Sequence, residues 1–267
     1  MIREPVVAGQ FYPRDQEDIK KAIERYKPKD SLKLYARAVI LPHAGYIYSG
    51  NVAVQTVSRV FAKKRIVILG PNHTGYGEPF ALWPRGAWRI PFGDIGIDEE
   101  LAALILAGGN IITADTLAHK HEHSIEVELP ILSYFFQEFK FVPIACGIST
   151  VESYREAAKQ ICKAVKPVQE DVLFVASTDM THYEPDLTAR KKDRDALESI
   201  ISLDAEALLK KVKKENISMC GSGAVAILLF CMNILGAKKA HVALYQTSAD
   251  AGADAQSVVG YAGVIIN

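Results

Sequence analysis

The sequence predicts one α/β domain built on a central, mostly parallel or mixed sheet flanked by helices, and three observations carry that expectation. Short apolar runs rich in β-branched residues recur along the chain: Val39-Ile40-Leu41, Ile66-Val67-Ile68-Leu69 and Val172-Leu173-Phe174-Val175. Runs this short and this uniformly apolar suit strands buried on both faces, as in a parallel sheet. Stretches of helical period lie between them, and strands alternating with helices are the pattern of an α/β domain. No linker, charge block or low-complexity segment divides the 267 residues, so residues 1–267 are expected to form a single domain.

Taken in order, residues 1–14 read as an extended arm, with Pro5 and Pro13 and an apolar Phe11-Tyr12 pair available for packing. Asp15 caps a helix in which Ile19, Ala22, Ile23 and Tyr26 share one face. Lys27 to Lys33 is a polar loop holding Pro28. The strand Val39–Leu41 stops at Pro42, which has no N–H to give, and Gly45 and Gly50 permit a tight turn before a helix from near Ser49 to about Phe61. The second strand runs into Gly70-Pro71-Asn72-His73, and residues 78–97 are aromatic and turn-punctuated, as in a small β-meander. Asp98 caps an apolar helix that Gly108-Gly109 terminates. After His119-Lys120-His121-Glu122-His123 come a helix to about Gln137, a strand Phe139–Ala145, a helix Glu152–Val165 and the strand Asp171–Ala176. Helices over 186–201 and 204–215 follow, then a buried helix opened by Cys220-Gly221-Ser222-Gly223 and ending near Leu235. Strands Ala240–Gln246 and Val258–Ile266 complete the chain.

Composition narrows the function classes. Lys plus Arg and Asp plus Glu are 31 each, which leaves no electrostatic footprint for nucleic acid or an anionic membrane. The basic runs Lys63-Lys64-Arg65 and Lys210-Lys211 with Lys213-Lys214 read as solvated helix ends, because no aromatic stacking platform accompanies them. The N-terminus lacks the apolar core of a signal peptide. The apolar run Ala224–Leu235 is shorter than the ~20 residues of a membrane span. The four cysteines form no CxxC pair, so a reduced, cytoplasmic protein is expected.

The three apolar strands share one further property: each runs into a loop bearing a histidine, His43, His73 or His182. In an open α/β sheet the ligand crevice lies outside the carboxyl ends of the strands, so the three rings are expected to converge there. One histidine after a strand ordinarily bonds nearby backbone; His43 and His73 in matching strand–Pro–His settings point to a metal, since imidazole is the commonest metal ligand. Cys220 is a candidate third ligand, placed before a helix start whose dipole would lower its thiol pKa, or else a buried structural cysteine as read for Cys146, Cys162 and Cys231. His119, His121 and His123 alternate, so an extended backbone would point them one way, and an exposed loop is the ordinary reading. His123, just before a helix, is placed to reach the crevice as a proton donor. Asp179, three residues before His182, is expected either to accept its ring N–H and orient it as a general acid or base, or to be a turn residue. No phosphate loop, dinucleotide fingerprint or nucleophile elbow is present.

With these residues assembled, the sequence resembles the Memo family. The matching motifs are Pro42-His43-Ala44-Gly45-Tyr46, Gly70-Pro71-Asn72-His73, Glu122-His123-Ser124-Ile125-Glu126, Ser177-Thr178-Asp179 with His182, and Cys220-Gly221, together with the arm from Arg3 to Tyr12. The resemblance implies a fold similar to class III extradiol dioxygenases, which are non-haem iron enzymes. It implies that His43, His73 and Cys220 hold a metal, iron(II) first and copper or zinc as alternatives, while His123, Asp179 and His182 line the same pocket as catalytic groups. Cys220 stands where the dioxygenases carry a glutamate, and a soft thiolate suits zinc or copper(I) as readily as iron. The function implied is a metal-binding, dioxygenase-like redox enzyme acting on a small-molecule substrate. The alternative is a non-catalytic module that binds a peptide or phosphopeptide, or handles metal, in the same cleft. Prokaryotic relatives also imply a functional link to a radical S-adenosylmethionine protein.

Overall fold

Four strands of the computed structural model, which describes residues 1–30 and 32–267, run parallel through the centre of the molecule. Ser31, inside the polar loop expected over Lys27–Lys33, lies outside the described residues. In chain order, β1 (Ile2–Arg3), α1 (Gln16–Tyr26), β2 (Ala38–Leu41), α2 (Tyr46–Val57) and β3 (Arg65–Pro71) come first. They are followed by β4 (Phe80–Leu82), β5 (Ala87–Ile90), β6 (Gly93–Gly96), α3 (Glu99–Ala107), β7 (Thr113–Ala114), α4 (Glu128–Phe136) and β8 (Lys140–Cys146). The last third holds α5 (Val151–Val165), β9 (Val172–Ser177), β10 (His182–Glu184), α6 (Asp186–Ile201), α7 (Ala205–Lys214), α8 (Ser222–Leu235), β11 (Ala240–Thr247) and β12 (Val258–Ile266).

The large sheet has the order β10-β12-β2-β9-β3-β8-β4-β7, with β11 paired to β12. Strands β2, β9, β3 and β8 are parallel, whereas β12 and β4 join them antiparallel, so the sheet is mixed. The central β9 lies between β2 and β3, which sets the segments after these three strands side by side at the carboxyl edge, although His182 opens strand β10 instead of standing in the expected loop. Helix α2, with α1 and α4 beside it, covers one face; α8, backed by α5 and α7, covers the other. The central strands are buried nearly throughout, and their side chains join one continuous apolar core. The chain is therefore a single α/β domain.

Local chemistry sets several helix ends. The Asp15 carboxyl accepts the N–H groups of Glu17 and Asp18, Asp98 accepts that of Leu101, and Asp204 that of Ala207, each satisfying donors a first turn leaves open. Helix α8 stops at Gly236, whose φ of 79° is the left-handed conformation glycine adopts without steric cost.

Three sequence expectations are corrected. Helix α2 begins at Tyr46 rather than near Ser49 and ends at Val57, because Gly45 already stands at its cap and the Ser49 hydroxyl donates back to the Ala44 carbonyl. Residues 78–97 do not make one meander. Strand β4 pairs with β8 in the large sheet, while β5 and β6 form a hairpin whose β5 edge is taken by β1 of the N-terminal arm. The arm is held there by Arg3, whose guanidinium lies 4.1 Å over the buried Trp88 ring. Finally, the His119–His123 tract is not the exposed loop expected of it: His119, at the end of a 3₁₀ turn over Leu117–His119, is buried, His123 is half-buried, and His121 is the exposed one of the three.

Candidate metal centre

The loop after β2 carries His43 into the interior, the loop after β3 carries His73, and the turn before α4 brings His123 between them. Their ring centroids are 5.2 Å apart for His43 and His73, 5.5 Å for His43 and His123, and 4.9 Å for His73 and His123. One ring nitrogen from each lies within 4.8 Å of the other two. Three nitrogens bonded to one ion at about 2.1 Å in a tetrahedral arrangement stand ~3.4 Å apart, so the widest pair has to draw in by up to about 1.4 Å.

Each ring is fixed from behind. The His73 Nδ1 lies 2.9 Å from Glu122 Oε1, and its backbone N–H donates to the other carboxylate oxygen. Glu122 also accepts the backbone N–H groups of His123 and Ser124, both at 2.8 Å. Burial works against a charged carboxylate there, but the His73 hydrogen bond and charge with the backbone N–H donors outweigh it and hold Glu122 down to about 2. Burial likewise opposes a charge on His73, and the Glu122 hydrogen bond and charge overcome it, so its pKa rises. The His43 Nδ1 lies 2.7 Å from the Ser177 hydroxyl, and complete burial followed by the neighbouring His123 and His73 pushes its pKa well down. His43 is therefore a neutral imidazole. His123 packs at 4.8 Å against Phe11 of the arm, and burial lowers its pKa also.

A sulfur lies beside one of the three rings without joining the group of converging nitrogens. Cys220 Sγ is 3.4 Å from His43 Nε2 and accepts the Asp179 backbone N–H at 3.2 Å. Gly221 has to be glycine, since a Cβ there would stand 2.4 Å from the Ser177 carbonyl oxygen. The lowered thiol pKa expected from the helix start is corrected: burial, and then the Asp179 charge, push it up to about 12. Desolvation of the thiolate outweighs the helix dipole, and only a bound cation would reverse that order.

Asp179 and His182 do not bond each other. Asp179 Oδ1 accepts the His43 backbone N–H at 2.9 Å, and burial raises its pKa to about 7. His182 Nδ1 instead meets the Ser218 carbonyl at 2.9 Å. A carbonyl only accepts, so Nδ1 carries the proton and Nε2 keeps its lone pair. Burial lowers the His182 pKa. Beside it, Tyr183 is 77 % exposed at a φ of 59°, a strained conformation at a slip in the β10–β12 register.

The other two histidines of the tract part company. His119 is fully buried beside Trp83 and Trp88 and bonds the Ala81 carbonyl at 2.8 Å, while His121 is exposed. Sequence reasoning gave no role to Glu122, Glu126, Glu128 or Ser177. Glu122 and Glu126 flank the His123 turn four residues apart, a spacing that places two carboxyls on one side of a helical turn and was a legible signal. Glu126 pins the arm by taking Arg3 at 2.6 Å, the Val6 and Val7 N–H groups and the Tyr12 hydroxyl. A cleft of about 1330 Å³ near the amino ends of β3 and β8 is lined by Arg65, Asp98 and Lys140 among others and by no histidine.

Fold and site together define an α/β protein with a cluster of three histidines, a candidate metal site, at the carboxyl edge of its sheet. The family profile described as Memo-like protein matches residues 3–265, and the chain belongs to the Memo-like family. It is 40% identical over 280 residues to a MEMO1 family protein of Methanopyrus kandleri, covering 99% of both chains. It is 39% identical over 268 residues to one of Aquifex aeolicus, covering 99% of this chain and 98% of that one. A third, from Saccharolobus solfataricus, is 38% identical over 278 residues, covering 98% of each. The crystal structure of an uncharacterized protein of Escherichia coli K12 shares the fold, with a TM-score of 0.56 at 13% identity over 85% of this chain and 98% of that one. No helix among the described residues is long and apolar enough to cross a membrane.

Proposed function

We propose that the histidine cluster binds a transition-metal ion through His43, His73 and His123, with Cys220 as a fourth, softer donor, and that the loaded protein is a redox enzyme for a small organic substrate. The observation that carries this reading is the convergence of three ring nitrogens within 4.8 Å, backed by Glu122 on one side and Ser177 on the other. The donor set fits a divalent ion: His43 is already neutral, Glu122 is anionic, and a thiolate would balance the second charge. Nitrogen donors of this kind suit iron(II), which would supply a redox-active Lewis acid with open positions. The sequence reading kept His123 for proton transfer, but one nitrogen of its ring lies within 4.8 Å of nitrogens on His43 and His73, which supports ligation.

Proton transfer then falls to His182 and Asp179. The His182 Nε2 lone pair is free because Nδ1 is committed to Ser218, so it accepts a proton at neutral pH. Asp179, with a pKa near 7, takes or gives one under the same conditions. A second reading, a metal-handling protein without turnover, is favoured by the sulfur beside His43, which suits copper(I) or zinc.

Anaerobic loading with iron(II), elemental analysis and oxygen uptake in the presence of catechols, thiols or small organic acids test the reading. His43→Ala, His73→Ala and His123→Ala are expected to lose most of the bound metal. His182→Asn is expected to keep the metal and lose roughly 10²–10⁴ in rate. Full metal content in all three alanine variants overturns the site, and an unchanged rate in His182→Asn overturns its role.

A further inference from the structure

Glu128 is a buried carboxyl near the histidines with no cation paired to it among the described residues. It is 0 % exposed, one oxygen has no partner, and the other touches a hydroxyl that the metal centre already uses. Ser177 Oγ has three neighbours: His43 Nδ1 at 2.7 Å, Glu128 Oε1 at 2.7 Å and the Ser124 carbonyl oxygen at 2.8 Å. A hydroxyl has one proton to donate and two lone pairs to accept with. The Ser124 carbonyl can only accept, so it takes the Ser177 proton. The two remaining neighbours must then both donate to Ser177.

We infer that Glu128 is held as a neutral carboxylic acid that donates through Ser177 to fix the His43 ring, making it a positioning residue for the metal centre. With Oε1–H pointing at Ser177, His43 is left to donate from Nδ1, and its Nε2 lone pair faces the cluster and Cys220. Only this arrangement gives each short contact one proton. If Glu128 were ionised, one hydroxyl proton would have to serve two acceptors, and two oxygens would face each other at hydrogen-bond distance with nothing between them. The unpartnered Oε2 agrees. An orphaned oxygen of a neutral acid is far less costly to bury than an orphaned oxygen of a carboxylate.

Among the described residues no cation pairs with Glu128. The titratable groups that act on or respond to Glu128 are Asp179, another acid, and the Tyr46 phenol, which donates to the Val127 carbonyl instead. Although Glu128 opens α4, no backbone N–H of that helix donates to its side chain among the described residues. Burial raises its pKa well above the usual carboxylate range, in keeping with the hydrogen-bond geometry. The role as a positioning residue rests on the metal reading above, whereas the charge state does not.

Two variants and two measurements separate these. In the infrared difference spectrum at neutral pH, the carbonyl band of a protonated acid should be lost in Glu128→Gln. Zinc titration of the purified full chain should show affinity falling about tenfold or more in Glu128→Met, which cannot donate, in line with the 10–100-fold cost typical of a partner behind a metal ligand. Affinity should return in Glu128→Gln, whose amide donates in the acid's place. An unchanged acid band in Glu128→Gln overturns the neutral-acid assignment. Wild-type zinc affinity in Glu128→Met overturns the positioning role. A wild-type chain that binds no zinc overturns the proposed function and the positioning role with it, and the infrared band then still decides the charge of Glu128 by itself.

Discussion

Glu122 and Glu128 are six residues apart, both are buried, and each backs one histidine of the same cluster, yet they carry opposite charge states. Glu122 touches His73 directly and collects four N–H donors, two from His73 and one each from His123 and Ser124. Glu128 reaches His43 only through Ser177 and has no other partner. Burial penalises the ionised form of both, and the number of donors decides whether that penalty is overcome. Glu126, between them, extends the comparison: it is buried as deeply but faces the Arg3 guanidinium, two backbone N–H groups and a phenol.

Removing a cation is the most severe way to break this comparison. Arg3→Ala leaves Glu126 buried without its ion pair, and losing one partner of a buried pair typically costs ~3–5 kcal/mol. Chemical denaturation is expected to show a loss in that range. A loss below about 1 kcal/mol would mean that two N–H groups and the Tyr12 hydroxyl suffice to hold a buried carboxylate.

A smaller effect is expected at Glu122. Its pKa falls from 4.5 to about 2, so its ionised form contributes stability that is present above 4.5 and lost as pH drops towards 2. A difference of about 2.5 at ~1.4 kcal/mol each is on the order of 3 kcal/mol. Glu122→Gln should therefore be less stable than wild type by about that much at pH 7, with the deficit shrinking as pH falls below 4.5. Equal stability of the two proteins at pH 7 would show that the four donors do not require a charge.

Glu128 should respond with the opposite sign and, over a single pH unit, with the smallest change in stability. Its folded pKa is raised above 4.5, so its favourable contribution is complete below 4.5 and lost as pH rises through the folded value. Relative to wild type, Glu128→Gln should gain up to about 1.4 kcal/mol between pH 5 and pH 6. Parallel pH profiles for Glu122→Gln and Glu128→Gln would erase the difference between the two carboxyls.

The strands, their order of use and several helix ends were written in short stretches of sequence. Apolar runs such as Ile66–Leu69, the prolines after them, and caps such as Asp15 and Asp98 act through neighbours no more than a few residues away, so their patterns are visible without a fold. Those local rules also placed His43 and His73 on loops after strands, whereas His182 opens β10, and the adjacency of β2, β9 and β3 comes from pairing between segments more than 100 residues apart. What stands behind each ring was decided elsewhere. His73 meets a carboxylate 49 residues away, His43 meets a hydroxyl 134 residues away, and Asp179 turns to the His43 backbone instead of the nearby His182. His119 and His123, four positions apart in one polar tract, end in a tryptophan-lined core and at the cluster respectively. Charge states depend on desolvation and on the count of donors around a buried group, and both are set by contacts between distant segments. For that reason the sequence determined which residues could carry chemistry, and only the tertiary structure decided which of them is charged, which is neutral, and which faces which.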